Sequence, residues 1–118
     1  MLLRHGTTKR YSDSTVYNGV AYLVEVPTTD DGGIVAQTES LFASLDKALK
    51  VAGTSKERLL QVQVFLVDIA DYAGFNEAWD RWMPEGCAPS RACIEVKGLA
   101  NPAWRVELVV CAAVLDTQ

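Results

Sequence analysis

One histidine and three cysteines are too few and too scattered in this sequence to form a common zinc site. His5 lies in a polar N-terminal stretch, and Cys87, Cys93 and Cys111 show no CxxC spacing. A zinc site or a Cys–His nucleophile pair would need His5 to fold far from its sequence neighbours. We therefore expect no metal site, and the unpaired thiols are typical of a reducing cytosol.

Basic patches, long apolar runs and cofactor motifs are also absent from the sequence. The formal net charge is −4 and no basic cluster stands out, so we expect no nucleic-acid partner. No apolar stretch reaches the roughly 18 residues that span a bilayer, and the N-terminal "MLLRHGTTKR" lacks a signal-peptide core. The GxxxxGK and GxGxxG motifs are missing, so we expect no cofactor. The sequence predicts a cytoplasmic protein without a membrane segment.

The composition is that of one globular domain. Of 118 residues, 49% are hydrophobic and 22% are charged, and no linker, repeat or low-complexity segment interrupts them. This length allows a modest but real core. We therefore predict a single domain over residues 1–118.

Two strands and a long helix are predicted in the first half of the chain. Residues 14–17 and 20–26 are rich in β-forming side chains, and the Asn-Gly pair between them is typical of a hairpin turn. Residues 34–52 place leucines at helical spacing and end before Gly53, which suits a C-terminal cap.

The second half predicts a strand, a helix and two further strands. Residues 60–67 are nearly all apolar, which suits a strand covered on both faces. Asp71 can cap a second helix, which has an aromatic face and ends at Pro84. Residues 92–96 and 106–115 form the last two strands.

The predicted order, β-β-α-β-α-β-β, gives an α+β fold in which a mixed sheet carries two helices on one face. The final strand, "VELVVCAAVL", has apolar side chains on both faces, and Glu107 is its only charge. Two helices cannot easily cover both faces of such a sheet. We therefore expect a symmetric homo-oligomer that buries the bare face; the alternative is that terminal residues or a loop cover it.

Three charged residues interrupt the apolar strands: Glu25, Arg91 and Glu107. Each could be a solvated strand end or part of an ordinary ion pair. Arg91 and Cys93 share one side of their strand. Glu107 opens the adjoining strand of a predicted hairpin, so it can approach them if the register allows. An arginine suits a carboxylate, and a screened glutamate can hold a water and transfer a proton. Two interpretations stay open, a hydrolytic site for a small carboxylic acid or a pair that neutralises itself in the interior.

A resemblance to a known family is carried by the stretch "PSRACIEVKGLANPAWRVELVVCAAV". It is similar to the C-terminal signature of the RidA family, the reactive intermediate deaminases also called YjgF or endoribonuclease L-PSP proteins. The other family blocks resemble, in the expected order, "RYSDSTVYNGVAYL", "AQTESLFASLDKALKVAG" and "QVQVFLVDIADYAGFNEAWDRW". The resemblance spans essentially the whole chain, and "NPAWRVE" is closer to a divergent bacterial branch.

The resemblance implies a chorismate-mutase-like homotrimer with three clefts between subunits. It also implies hydrolysis of 2-imino or 2-enamino acids to 2-oxo acids and ammonia, without a cofactor. Arg91 matches the arginine that grips the substrate carboxylate, Cys93 matches a pocket-lining cysteine, and Glu107 matches the glutamate that positions water. Asn76 matches a polar pocket residue on the second helix, and Tyr11 matches a tyrosine that closes the cleft.

One position departs from the family pattern, because Val24–Glu25 stands where the family commonly has Ser-Gly or Thr-Gly. Glycine there allows close backbone approach to the pocket. The Glu25 side chain could turn to solvent, or it could pair with Arg91 and compete with an anionic substrate. Two functions therefore stay open, an imine deaminase or a non-catalytic trimer that binds a small metabolite or regulates a partner. A ribonuclease, which only a family name suggests, would need a histidine dyad or a basic groove.

Overall fold

The structure, a computed structural model, describes residues 1–115. Its strands and helices are β1 Leu3–His5, β2 Ser14–Tyr17, β3 Val20–Glu25, α1 Gly33–Ala52, β4 Leu59–Leu66, α2 Tyr72–Trp82, β5 Ser90–Glu95 and β6 Val106–Ala113. Short 3-10 turns precede β4 and α2. None of the helices in this part of the chain combines the length and the hydropathy needed to cross a bilayer.

The strands form one mixed sheet in the order β1-β2-β3-β6-β4-β5, in which only β4 and β5 run parallel. The predicted α+β fold is confirmed, with two corrections. The short strand β1 was not predicted, because its polar sequence forms a strand only by pairing with β2. The expected adjacency of the last two strands is wrong, because β4 lies between β5 and β6. Strand β6, apolar on both faces, takes the centre of the sheet, and the more polar β5 takes its edge.

The hairpin turn between β2 and β3 and the C-terminal cap of α1 are as the sequence predicts. Asn18 and Gly19 both have positive φ, 52° and 77°, as the tight hairpin turn between β2 and β3 requires. Helix α1 ends at Gly53, which is left-handed at φ 86° and donates its N–H to the carbonyls of the last turn. These two signals fix where the hairpin reverses and where α1 stops.

Both helices pack on one face of the sheet and form the core with it, as predicted. The apolar sheet residues buried there to 2% exposure or less are Ala21, Leu23, Val62, Val64, Leu66, Val106, Leu108, Val110 and Ala112. Helix α1 contributes Leu41, Leu45 and Leu49, and α2 contributes Phe75, Ala78 and Trp79. Alternate residues of each strand therefore point to the helices, and the remaining ones point to the opposite face.

The opposite face of the sheet is apolar and open in the single chain. Tyr22 and Val24 on β3 and Ile94 on β5 are 49%, 51% and 40% exposed. Phe65 and Val109 on the central strands are half-buried beside them. Within residues 1–115, neither the N-terminal segment nor a loop buries this surface, which we call the bare face.

An ion pair joins the segment before α2 to the segment before β6. Asp71 was predicted to cap α2, but its carboxylate instead accepts two hydrogen bonds of 2.9 Å from Arg105 Nε and Nη2. Gln37 of α1 adds to this link, because its Nε2 donates to the Ala103 carbonyl and its Oε1 accepts from the Arg105 N–H, both at 2.8 Å. The bidentate guanidinium outcompetes the helix N–H groups for the carboxylate.

We expect Asp71→Ala to lower the free energy of unfolding by about 1–3 kcal/mol, because it leaves the half-exposed Arg105 without its partner. Urea unfolding at one fixed protein concentration measures the loss. The control is Glu39→Ala, which breaks an ion pair with Arg81 that is more than half exposed on both sides. It should cost about 0.5 kcal/mol or less. Equal losses in the two variants would show that the Asp71 pair has no special structural role.

Candidate functional site

Arg91 lies on the edge strand β5 and points toward α2. Its Cα is in register with Val62 of β4, and that of Cys93 is in register with Val64, both core residues of the helix-facing side. The predicted common face for Arg91 and Cys93 is thus confirmed. Burial raises the pKa of the Cys93 thiol, and the positive charge of Arg91 offsets part of this effect. A thiol of this kind stays protonated near neutrality and suits a pocket wall better than a nucleophile.

The Arg91 guanidinium is surrounded by aromatic rings and not by carboxylates. Its Cζ lies 4.9 Å from the ring centroid of Trp79, and its Nη2 donates a 3.3 Å hydrogen bond to Tyr72 Oη. None of the three ion pairs within residues 1–115 involves Arg91. Arg91 lines a cleft of about 320 Å³ together with Asn76 and Asp80. The structure therefore brings together Arg91 and Asn76 as predicted, with Cys93 on the same face.

Glu107 lies on the bare face, away from Arg91. It is in register with Phe65, whose side chain alternates with those of the core. Burial raises the pKa of the Glu107 carboxyl above that of a free glutamate. The expectation that Glu107 approaches Arg91 is wrong within one chain, because they lie on opposite faces and β4 separates their strands. For the same reason, Glu107 and Arg91 do not form an ion pair inside one chain.

Glu25 is held by α1. Its Oε1 accepts a 2.9 Å hydrogen bond from Ser44 Oγ, and the Val26 N–H lies 3.4 Å away. Strand β3 is three positions from β5 in the sheet, a separation of about 14 Å. The interpretation that Glu25 pairs with Arg91 is therefore wrong within one chain, because strands β6 and β4 lie between β3, which carries Glu25, and β5, which carries Arg91.

Tyr11 lies in a different part of the chain surface from Arg91. It is 63% exposed and lines a recess of about 370 Å³ with Val24, Glu25 and Trp104. Val24 is in register with Val109 of β6. Glu107 lies two residues before Val109 and so on the same face of that strand. The recess and Glu107 thus belong to one region at the border of the bare face.

The site residues therefore form two groups within one chain. We call Arg91, Cys93 and Asn76 the arginine half-site, and Glu107, Tyr11, Val24 and Trp104 the glutamate half-site. Neither group alone offers both an anion-binding cation and a base.

Tyr72 and Trp104 are the two site residues that the sequence did not single out. Tyr72, Phe75 and Trp79 are spaced i, i+3 and i+7, so helical periodicity was a usable signal that they share one side of α2. Trp104 precedes β6 in an irregular segment, where no periodicity indicates the direction of a side chain.

The pKa of the Glu25 carboxyl is raised chiefly by burial, and the nearby charge of Asp13 adds to the increase. Hydrogen bonds from Ser44 and the Val26 N–H act in the opposite direction. The folded chain thus holds this proton more tightly than the unfolded chain does. The corresponding stability is fully present below about pH 4.3, the ordinary glutamate value, and is lost as the pH rises through the raised value.

We expect Glu25→Gln to be more stable than the wild type at pH 7 and equal to it near pH 4, because the amide removes the loss on ionisation and can still accept from Ser44. Urea unfolding at both pH values measures the difference. Ser44→Ala is the matched control and should destabilise more at pH 7 than near pH 4, since its hydroxyl donates to the ionised carboxylate. A Gln variant that is less stable than the wild type at pH 7 would contradict the assignment.

Comparison of the sequence with known proteins identifies its family. A family model described as endoribonuclease L-PSP matches residues 3–114. The chain is 42% identical over 115 residues to a RutC family protein of Haemophilus ducreyi, which covers 97% of each. It is 35% identical to the RutC family protein YoaB of Escherichia coli, with 96% of this chain and 98% of that protein covered.

A solved structure has the same fold. The crystal structure of a member of the YjgF protein family from Neisseria meningitidis matches with a TM-score of 0.92 and 38% sequence identity. The match covers 99% of this chain and 98% of the other. With these relatives, the six-stranded sheet and its two helices are the chorismate-mutase-like fold, and the chain belongs to the RidA/YjgF family of endoribonuclease L-PSP proteins.

Proposed function

We propose that this protein is a homotrimeric deaminase that hydrolyses 2-imino and 2-enamino acids to 2-oxo acids and ammonia. The observation that carries the proposal is that Arg91 lines a cleft and that its guanidinium has no carboxylate partner within residues 1–115. A cation kept without a partner in a partly buried position is available for an anion. The substrate is a small carboxylic acid, and its carboxylate takes the place of the missing partner.

The complete site is composed of two chains. Within one chain the arginine half-site faces the helices at the β5 edge, and the glutamate half-site lies at the border of the bare face. Burial of the apolar bare face in a trimer brings one chain's arginine half-site opposite the next chain's glutamate half-site. Each of the three clefts then contains one Arg91 and one Glu107.

The chemistry requires little beyond these two side chains. Arg91 holds the carboxylate through two parallel hydrogen bonds, which places C2 of the imine next to Glu107 and a water. Water adds to C2 of the protonated imine while one of its protons passes to Glu107, which gives the carbinolamine. Glu107 returns this proton to the carbinolamine nitrogen, the C–N bond breaks, and the hydroxyl proton leaves with ammonia as ammonium, so that iminium and water become 2-oxo acid and ammonium. Burial raises the pKa of the Glu107 carboxyl toward neutral pH. A carboxyl of this kind is suited both to take a proton and to return it.

A second function, a non-catalytic trimer that binds a small metabolite, is favoured by one observation. Glu25 lines the recess of the glutamate half-site at the position where the family commonly has glycine, so a charged side chain occupies space that turnover needs while the recess stays open. Thermal shift by 2-oxo acids without any turnover of imines would identify this function. In both cases the three free cysteines and the net charge of −4 support a cytoplasmic protein that does not bind nucleic acid.

We expect Arg91→Ala to lower kcat/KM for 2-iminobutanoate by about 100-fold, because it removes the charge-assisted contacts to the carboxylate. Arg91→Lys keeps the charge without the planar fork and should lose about tenfold. A dehydratase generates the imine, and its decay is followed with and without the protein. Arg81→Met on the exposed side of α2 is the control and should equal the wild type. Wild-type protein no faster than Arg91→Ala would remove the deaminase function for this substrate.

The two-chain site makes a separate prediction. Glu107→Gln should lower kcat by about 100-fold, since it removes the general base. Coexpression of Glu107→Gln with Arg91→Ala places an intact Arg91 opposite an intact Glu107 in about a quarter of the clefts, so about a quarter of the wild-type activity should return. Each variant expressed alone is the control. No recovery in mixed trimers would show that the two residues do not meet across chains.

A further inference from the structure

We infer that Tyr72, in the first turn of α2, is a positioning residue that holds the Arg91 guanidinium in the orientation needed for a carboxylate. The inference rests on the proposed deaminase function and adds to it a residue that touches neither the substrate nor the water. It depends on the geometry around Arg91 and on the different burial of three aromatic rings.

Three rings of α2 surround the guanidinium. The Arg91 Cζ lies 4.9 Å from the ring centroid of Trp79, 5.6 Å from that of Phe75 and 5.8 Å from that of Tyr72. Each distance is within the roughly 6 Å at which a cation and a ring attract each other. Such contacts occur about once per 70–80 residues in proteins, so three on one guanidinium form a specific environment.

Tyr72 differs from the other two rings in having no packing role in the core. Phe75 and Trp79 are 0% and 6% exposed and also contact Phe42 of α1, so they stabilise the fold whatever Arg91 does. Tyr72 is 42% exposed, and its hydroxyl accepts the 3.3 Å hydrogen bond from Arg91 Nη2. Both its side-chain hydrogen bond and its cation–ring contact are made with Arg91.

The rings orient the guanidinium without neutralising it. A carboxylate partner would also fix the side chain, but it would occupy the N–H groups that a substrate needs. Asp80 lines the same cleft, yet it forms no ion pair with Arg91 among the described residues. Aromatic contacts restrict the long side chain and leave its charge available, which lowers the entropy lost when a carboxylate binds.

The test compares Tyr72→Phe, which removes only the hydroxyl, with Tyr72→Leu, which removes the ring as well. We expect Tyr72→Phe to raise KM for 2-iminobutanoate and Kd for 2-oxobutanoate about threefold, and Tyr72→Leu about tenfold. The kcat should stay within about twofold, because the carboxylate contact is equal in the ground and transition states. Glu77→Gln is the control on the same helix, since its carboxylate pairs with Arg81 at 3.7 Å and should not affect either constant.

The outcomes separate this inference from the proposed function. Wild-type protein that neither hydrolyses the imine nor binds 2-oxobutanoate better than Arg91→Ala would remove both. An active wild type with unchanged KM and Kd in both Tyr72 variants would overturn the positioning role and leave the deaminase intact. A fall in kcat at constant KM would overturn it too. If Tyr72→Leu does not fold, Tyr72→Phe decides alone, because it keeps the ring and its packing.

Discussion

Strand β6 has apolar side chains on both faces and lies at the centre of the sheet, and the rest of the structure depends on this arrangement. One face of the strand packs against α1 and α2 through Val106, Leu108 and Val110. The other face contributes Val109 and Glu107 to the bare face. Because β6 occupies the position between β3 and β4, it also separates the strand of Glu25 from that of Arg91. The central strand thus contributes to the bare face and keeps the predicted site residues apart within one chain.

Features set by neighbouring residues were predictable from the sequence. The Asn18–Gly19 turn, the end of α1 at Gly53 and the aromatic side of α2 depend on residues a few positions apart. The strand order was not predictable in the same way, because pairing of β6 with β4 instead of β5 is decided by burial across the whole sheet. Asp71 shows the same limit, since its distant partner Arg105 overrides its local tendency to cap.

The candidate site shows the same difference between features set by neighbouring residues and features set by tertiary contacts. The common face of Arg91 and Cys93 follows from strand alternation, and the structure confirms it. The family resemblance supplied Asn76, which lines the cleft of Arg91. The separation of Glu107 from Arg91 and the bond between Glu25 and Ser44 depend on tertiary contacts that alternation does not describe. Residues were therefore easier to predict than their arrangement.

The edge position of β5 has a consequence for solubility. An edge strand presents unpaired backbone groups that another chain can join, and proteins protect such edges with proline and with inward-pointing charges. Strand β5 has both protections, because Pro89 directly precedes it and the Arg91 side chain points inward to the helices. The arginine that we assign to anion binding therefore also hinders uncontrolled sheet extension, and its replacement by an apolar residue would favour fibrillar association.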